Sequence, residues 1–338
     1  MLEKFFGAGK IGIDLGTTSV LVYVPGRGVV TYEPSVVAVS DDQQILAVGD
    51  EAKRMIGRTP EHIRAYRPMK DGVIADYRVT EAMLRYFLRQ ACGRFNLRRP
   101  DVLVSVPSGV SSTEKRAVIE AALNAGAKNA YVLKEPILAA LGAGLPIYEP
   151  RGHLIVDIGG GTTDAAVISL GSIVAATSVR CAGNKIDATI VDYVKKTYNL
   201  AIGEKTAEDI KIGIGSALPV EEELSMEVKG RDLMSGLPRT IELKTNEVVR
   251  ATQRELREIV GAIKAVFQDT PPELAADIID YGIILTGGSS QLRNLAEFVK
   301  RRTGVKTQMA DQAQFCVVKG TGIALQHLDT YKQALIRK

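Results

Sequence analysis

"KIGIDLGTTSV" (Lys10–Val20) and "HLIVDIGGGTTDAAVI" (His153–Ile168) decide the fold, because they are the same statement written twice. Each runs apolar strand, Asp, apolar residue, Gly, Thr, then a second apolar strand. In each the Asp ends a strand just before a tight turn. Gly16 and Gly159, Gly160 and Gly161 let backbone approach a ligand with no Cβ in the way. Hydroxyls and bared N–H groups at Thr17, Thr18, Thr162 and Thr163 suit phosphate oxygens. Two such hairpins, one per half of the chain, can close on a polyphosphate from both sides. Asp14 and Asp157 would then face a shared Mg²⁺, mostly through water, since Mg²⁺ gives up its waters reluctantly. No GxxxxGK[ST] loop offers a competing phosphate site.

The repeat extends outward from the hairpins. Residues 10–24 read as two strands, "PGRG" (Pro25–Gly28) as a turn, and "VVTY" as a third strand. After His153 the chain again gives strand, Gly turn, strand, a Gly171–Ser172 turn and the strand "IVAATSV". "DVLVSVP" reads as a buried strand. "TEAMLRYFLRQA" reads as an amphipathic helix capped by Thr80, and "SSTEKRAVIEAALNAGA" as a helix with a Ser111/Glu114 capping box. "TAEDIKIGIGSAL" is expected to be helical with Thr206 and Asp209 as its cap. "TPPELAADIID" is expected to open at Thr270, with Pro271 at its first position and Glu273 completing the box. The sum is an internally duplicated α/β protein with two similar lobes.

Composition narrows the function. The 338 residues suit two domains or one large two-lobed unit. The net charge of +4 and the lack of a basic stripe with interleaved aromatics argue against nucleic-acid binding. Cys92, Cys181 and Cys316 are dispersed and odd in number, which reads as reduced, buried thiols of a cytosolic protein. His62, His153 and His327 do not cluster, so no zinc site or triad is expected. The longest apolar run, "ILAALGAGLPI", is too short to span a bilayer and is broken by Gly and Pro. "MLEKFFGAGK" lacks the apolar core of a secretory signal. It is either a lead-in to the first strand or a short interfacial anchor through Leu2, Phe5 and Phe6.

"GIDLGTTS", "DIGGGTTD" and "GIILTGGSSQL" resemble the phosphate-1, phosphate-2 and adenosine motifs of the actin, sugar-kinase and heat-shock-chaperone superfamily. Longer segments are similar to the MreB family of bacterial actins. They are "EPSVVAV", "IGRTPEHIRAYRPMKDGVIADY", "SVPSGVSSTEKRAV", "GAKNAYVLKEPILAALGAGLPIYEP", "KTYNLAIGEKTAEDIKI", "GRDLMSGLPRTIE" and "TPPELAADIIDYGIILTGG". The likeness covers essentially the whole chain. It implies an actin-like ATPase fold: two duplicated lobes, each a mixed sheet flanked by helices, with smaller inserted subdomains. Lobe I would comprise 1–142 plus 318–338 (small subdomain roughly 32–77), and lobe II 143–317 (small subdomain roughly 184–250). It implies a protein that binds ATP/ADP with Mg²⁺, is a slow filament-coupled ATPase, and polymerises into paired protofilaments. These would lie in the cytoplasm on the inner face of the cell membrane, beside membrane-bound wall-synthesis and morphogenesis proteins, and would set rod cell shape. The helix "EPILAALGAGL" and "VKGTGIALQ" match the family's hinge. The chain departs from the family pattern at Ser19, where Asn is usual, at Ser289, where a third Gly is usual, and at Asn184, where an acid is usual.

Through the same resemblance Glu135 is matched to the glutamate that orients attacking water, and Thr162 to its partner. Otherwise Glu135 is a favourable charge at a helix start. Glu208 and Lys211 share a helix face, either straddling ribose and adenine or forming a surface ion pair. Gly287, Gly288 and Ser289 would lie against the nucleotide. Phe95 and Leu97, flanked by arginines, are either a loop tucked on the core or a second membrane-touching loop. A metabolite kinase or a chaperone-type ATPase would share the fold. The first needs an acceptor pocket and base, for which no residues remain. The second needs a peptide-binding region, and only ten residues follow "GIALQHL".

Overall fold

The apolar alternation on either side of each Asp-Gly turn builds two sheets of the same design. The structure is a computed structural model and describes residues 9–93 and 99–328. The first sheet holds β1 (Lys10–Leu15), β2 (Ser19–Val24), β3 (Gly28–Pro34), β4 (Asp101–Val106) and β5 (Asn129–Lys134), in the order β5-β4-β1-β2-β3. The second holds β6 (His153–Ile158), β7 (Thr163–Ser169), β8 (Ser172–Val179), β9 (Ile283–Thr286) and β10 (Thr307–Met309), in the order β10-β9-β6-β7-β8. In both, the first three strands run antiparallel and the last two add in parallel. Even the turn bond repeats. Gly16 N–H donates to Ser19 C=O at 3.1 Å, and Gly159 N–H to Thr162 C=O at 2.9 Å.

Each sheet has its own apolar core, one around Ile11, Ile13, Phe87 and Val104, the other around Leu154, Val156, Leu256 and Phe298. The expected smaller pieces are present. Strands Val37–Ser40, Ile45–Val48 and Ile63–Tyr66 pair beside the first sheet, and Leu200–Ala201, Ser225–Asp232 and Pro238–Lys244 beside the second. Helices important below are α1 (Ser112–Asn124), α2 (Glu135–Gly142), α3 (Gly183–Tyr198), α4 (Glu204–Ile214) and α5 (Cys316–Gln326).

The Ser111/Glu114 capping box forms as read. Three other caps differ. Asp76, not Thr80, caps the helix Tyr77–Cys92, because Asp76 can accept from Val79 N–H while Thr80 is buried a turn later. Helix α4 starts two residues before Thr206, at Glu204 after Gly203, which supplies no side-chain cap. The helix Pro272–Tyr281 is preceded by Pro271, and the Thr270 hydroxyl donates back to Val266 C=O at 2.6 Å instead. Leu2, Phe5, Phe6, Phe95 and Leu97 lie outside the described residues.

Helices α2 and α5 cross backbone to backbone between the two sheets, and small residues permit it. A Cβ on Gly142 would stand 1.7 Å from Cys316 C=O, and one on Gly320 1.9 Å from Leu138 C=O. Gly320→Ala is therefore expected to cost about 3 kcal/mol, at the upper end of overpacking penalties. Gly261→Ala, in the helix Thr245–Gln268 with open space around it, should instead stabilise by about 0.5–1 kcal/mol. Urea midpoints of the two variants check the contrast.

Candidate functional site

The carboxyl ends of β1 and β6 face each other across a cleft of about 540 Å³. Asp14 Oδ1 accepts from the Ser105 hydroxyl at 2.7 Å, and Asp157 Oδ1 from the Thr286 hydroxyl at 2.9 Å. Ser105 and Thr286 occupy equivalent neighbouring strands, so the duplication includes the clamp on each acid. Burial pushes Asp14 up to about 6, against the lowering bond from Ser105. Burial, and then the charge of Asp14, push Asp157 up to about 7. Two desolvated carboxylates, with the charge of Asp14 raising Asp157, fit a divalent cation between them. No three His, Cys, Asp or Glu side chains converge as direct metal ligands among the described residues. That donor set fits Mg²⁺ held chiefly by water and ligand oxygens.

The two turns meet tip to tip. The Thr18 hydroxyl donates to Asn184 Oδ1 at 3.0 Å, bridging the halves of the chain. A Cβ on Gly160 would stand 1.8 Å from the Thr18 hydroxyl, so this approach needs glycine. Gly72 N–H donates to the Thr17 hydroxyl at 2.8 Å. Asn184 N–H donates to Gly160 C=O at 2.8 Å, docking the start of α3 on the second turn. The Ser289 hydroxyl donates to Gly159 C=O at 2.7 Å, so this departure from Gly ties the third glycine-rich turn to the second. Gly287, at φ +85°, lets that turn pass against the Ile158 backbone.

Glu135 opens α2 at the cleft floor and is 7% exposed. Burial first, then the charges of Asp164, Asp157 and Asp14, hold it well above the usual carboxylate range. Thr162 lines the same cleft from the second turn. Glu208 and Lys211 both line it from α4 but do not pair with each other. Glu208 takes Lys53 across the cleft at 2.8 Å, and Lys211 takes Asp187 at 2.8 Å.

Fifteen of the described residues singled out from sequence line this one cleft: Asp14, Gly16, Thr17, Thr18, Glu135, Asp157, Gly159, Gly160, Gly161, Thr162, Glu208, Lys211, Gly287, Gly288 and Ser289. Thr163, also read as a phosphate contact, does not: it is fully buried as the first residue of β7, and its hydroxyl donates to Cys181 C=O at 2.6 Å. The reading missed the clamps Ser105 and Thr286, although both "VLVSVP" and "IILTGG" carry a hydroxyl at matching strand ends. It also missed Tyr32, Gly72, Ile186, Ile212 and Leu292 in the wall. Of these, Ile212 continues the Glu208 face at i+4, a signal that was available.

A family model described as MreB/Mbl protein matches residues 8–333. The chain is 46% identical to cell shape-determining protein Mbl of Bacillus cereus, over 98% of this chain and 99% of that protein. It is 47% identical to cell shape-determining protein MreB of Escherichia coli K12, over 98% of both. The fold is similar to the crystal structure of MreB5 of Spiroplasma citri bound to ADP, with TM-score 0.90 and 39% identity over 96% of this chain and 98% of that one. The MamK double helical filament subunit shares the fold, with TM-score 0.80 and 22% identity over 94% of this chain and 98% of that one. Matched from end to end in sequence and in its duplicated sheets, the chain belongs to the MreB/Mbl family.

Proposed function

We propose that this protein binds ATP and ADP with Mg²⁺ in the cleft between its sheets and polymerises with itself into paired filaments. On this reading the filaments lie on the inner face of the cytoplasmic membrane and organise wall synthesis and rod shape through membrane-bound partners. The carrying observation is the convergence of two equivalent Asp-Gly-Thr turns and a third glycine turn on one cleft. Support comes from relatives named as cell shape-determining proteins. The similar MreB5 of Spiroplasma citri was solved with ADP and with AMPPNP.

Bound Mg²⁺ would neutralise phosphate charge beside Asp14 and Asp157. The chain's own part is positioning. The turn amides and threonine hydroxyls orient phosphates, and α4 with the Gly287–Ser289 turn flanks the nucleoside. Glu135 and Thr162 hold a water, with Glu135 accepting its proton. The division into 1–142 plus 318–338 and 143–317 goes with this reading, since α2 and α5 would carry the hinge.

Pairing of protofilaments is assigned to the outer face of α1. Val118, 6% exposed, packs in its own core, whereas Arg116 is exposed. Arg116→Glu is expected to turn paired filaments into single ones in electron micrographs, and paired filaments of normal width would contradict the assignment.

Membrane contact is assigned to Leu2, Phe5 and Phe6 together with Phe95 and Leu97. No helix among the described residues is long and apolar enough to cross a membrane. A few such side chains supply a few kcal/mol, at about 25 cal/mol per Å², which filaments multiply by avidity. Deleting residues 1–7 should weaken co-sedimentation with anionic liposomes without stopping assembly. Unchanged liposome binding by this truncation and by a polar Phe95/Leu97 double variant would overturn the assignment. The whole reading is tested by microscopy of purified protein with Mg·ATP on anionic bilayers. Paired straight filaments support it, and unassembled protein contradicts it.

A further inference from the structure

The duplication contains one break in symmetry at the site. Asp14 on β1 lies directly opposite Leu21 on β2, but Asp157 on β6 lies directly opposite Asp164 on β7. Side chains opposite one another in an antiparallel pair share a face at close range, where like charges destabilise. Leu21 shows that the hairpin does not require an acid there.

Asp164 is 1% exposed, and its two oxygens are treated differently. Oδ1 accepts from Ser108 N–H at 2.7 Å and from the Ser108 hydroxyl at 2.5 Å. Oδ2 is buried with no hydrogen-bond partner, although the Thr162 and Ser178 hydroxyls lie near enough to favour its charge. Ser108 follows β4 in the first half of the chain, three residues after Ser105, which holds Asp14. One strand end therefore grips an acid in each half. A staple alone is a poor account of a buried carboxylate with another carboxylate directly opposite, because that arrangement costs stability.

We propose that Asp164 is a positioning residue for hydrolysis, which ties Ser108 to the Thr162 turn so that Glu135 and Thr162 converge only when the cleft is shut. This rests on the ATP-hydrolysing reading above. Asp164 acts through Thr162 rather than on the water, and Ser108 reports closure of the first half onto the second.

The test is single-turnover phosphate release from assembled filaments, with ATP dissociation constants and melting temperatures measured alongside. Ser108→Ala and Asp164→Asn are each expected to slow release about tenfold or more while the ATP dissociation constant stays within about twofold, the split that marks loss of an interaction made only beyond the ground state. Ser108→Thr should restore most of the rate. The double variant should be no slower than the slower single, as for residues acting as one unit. Wild-type release by both single variants, or rate, affinity and melting temperature falling together, overturns the inference. Glu135→Ala is run in the same assay. If it also releases phosphate at the wild-type rate, the hydrolytic reading fails and takes this inference with it. If it is slow while Ser108→Ala and Asp164→Asn are normal, this inference alone fails.

Discussion

Glu135→Ala is expected to bind ATP and assemble into filaments while releasing phosphate roughly 10²–10⁴-fold more slowly, the usual contribution of a positioned general base. Glu135 is the first residue of α2, and α2 packs on α5 through glycine backbone contacts. Its carboxylate is thus placed by the helix that joins the two sheets, whereas Thr162 is placed by the second turn. A water between them is well held only at one angle between the sheets, so the filament should hydrolyse faster than the monomer. The bland account, a helix-start carboxylate, predicts a stability loss of ~1 kcal/mol and unchanged turnover. The burial of Glu135 beside three other carboxylates opposes that account, because a helix-start charge gains nothing from desolvation. Phosphate release from assembled filaments separates the two accounts.

Asp157→Asn is expected to abolish Mg²⁺-dependent ATP affinity, by about 10²-fold or more if several kcal/mol of cation attraction are lost, and to make the unliganded protein more stable. The Thr286 hydroxyl keeps an amide oxygen to donate to, so the strand end is preserved. The stability gain follows from linkage. The folded-state carboxyl is raised from an ordinary value of 3.8 to about 7. Between those values the folded protein holds more protons than the unfolded one, so stability falls as pH rises through that window. Above about pH 7 the wild type carries the full penalty, on the order of 2–4 kcal/mol, and the variant carries none of it. Thermal melts without nucleotide at pH 5 and pH 8 should show the variant's advantage growing with pH. A loss of stability at pH 8 would contradict the buried-carboxylate account. Asp14, pushed up to about 6, adds to the same slope.

The two turns were legible because their chemistry is local. Asp, Gly and Thr sit within six residues of one another, and the pattern occurs twice. That each half opens on three consecutive strands followed from the same repeat. The clamps at Ser105 and Thr286 were not legible, since each reaches its Asp through strand register rather than sequence proximity, 91 and 129 residues away. The cross-cleft pair Lys53–Glu208 was hidden for the same reason, at a separation of 155 residues. Helix starts were misplaced at Thr80, Thr206 and Thr270, because a hydroxyl near an apolar run marks a cap only if no better acceptor precedes it, the hydroxyl is not bonded elsewhere and the helix does not start earlier without a side-chain cap, as α4 does after Gly203. Asp76 precedes Thr80, and backbone C=O of Val266 captures Thr270. The departures at Asn184 and Ser289 proved to be contacts, of the start of α3 with the first turn and of the third turn with the second, which pattern comparison alone could register only as differences.

The central claim is that both Asp-Gly-Thr turns grip one nucleotide. Cryo-electron microscopy of filaments assembled with Mg²⁺ and a non-hydrolysable ATP analogue tests it most directly. The account predicts phosphate density between Gly16–Thr18 and Gly159–Thr162, a cation between Asp14 and Asp157, and the base beside α4 and Gly287–Ser289. Nucleotide density outside this cleft, or phosphates touching only one of the two turns, would contradict it.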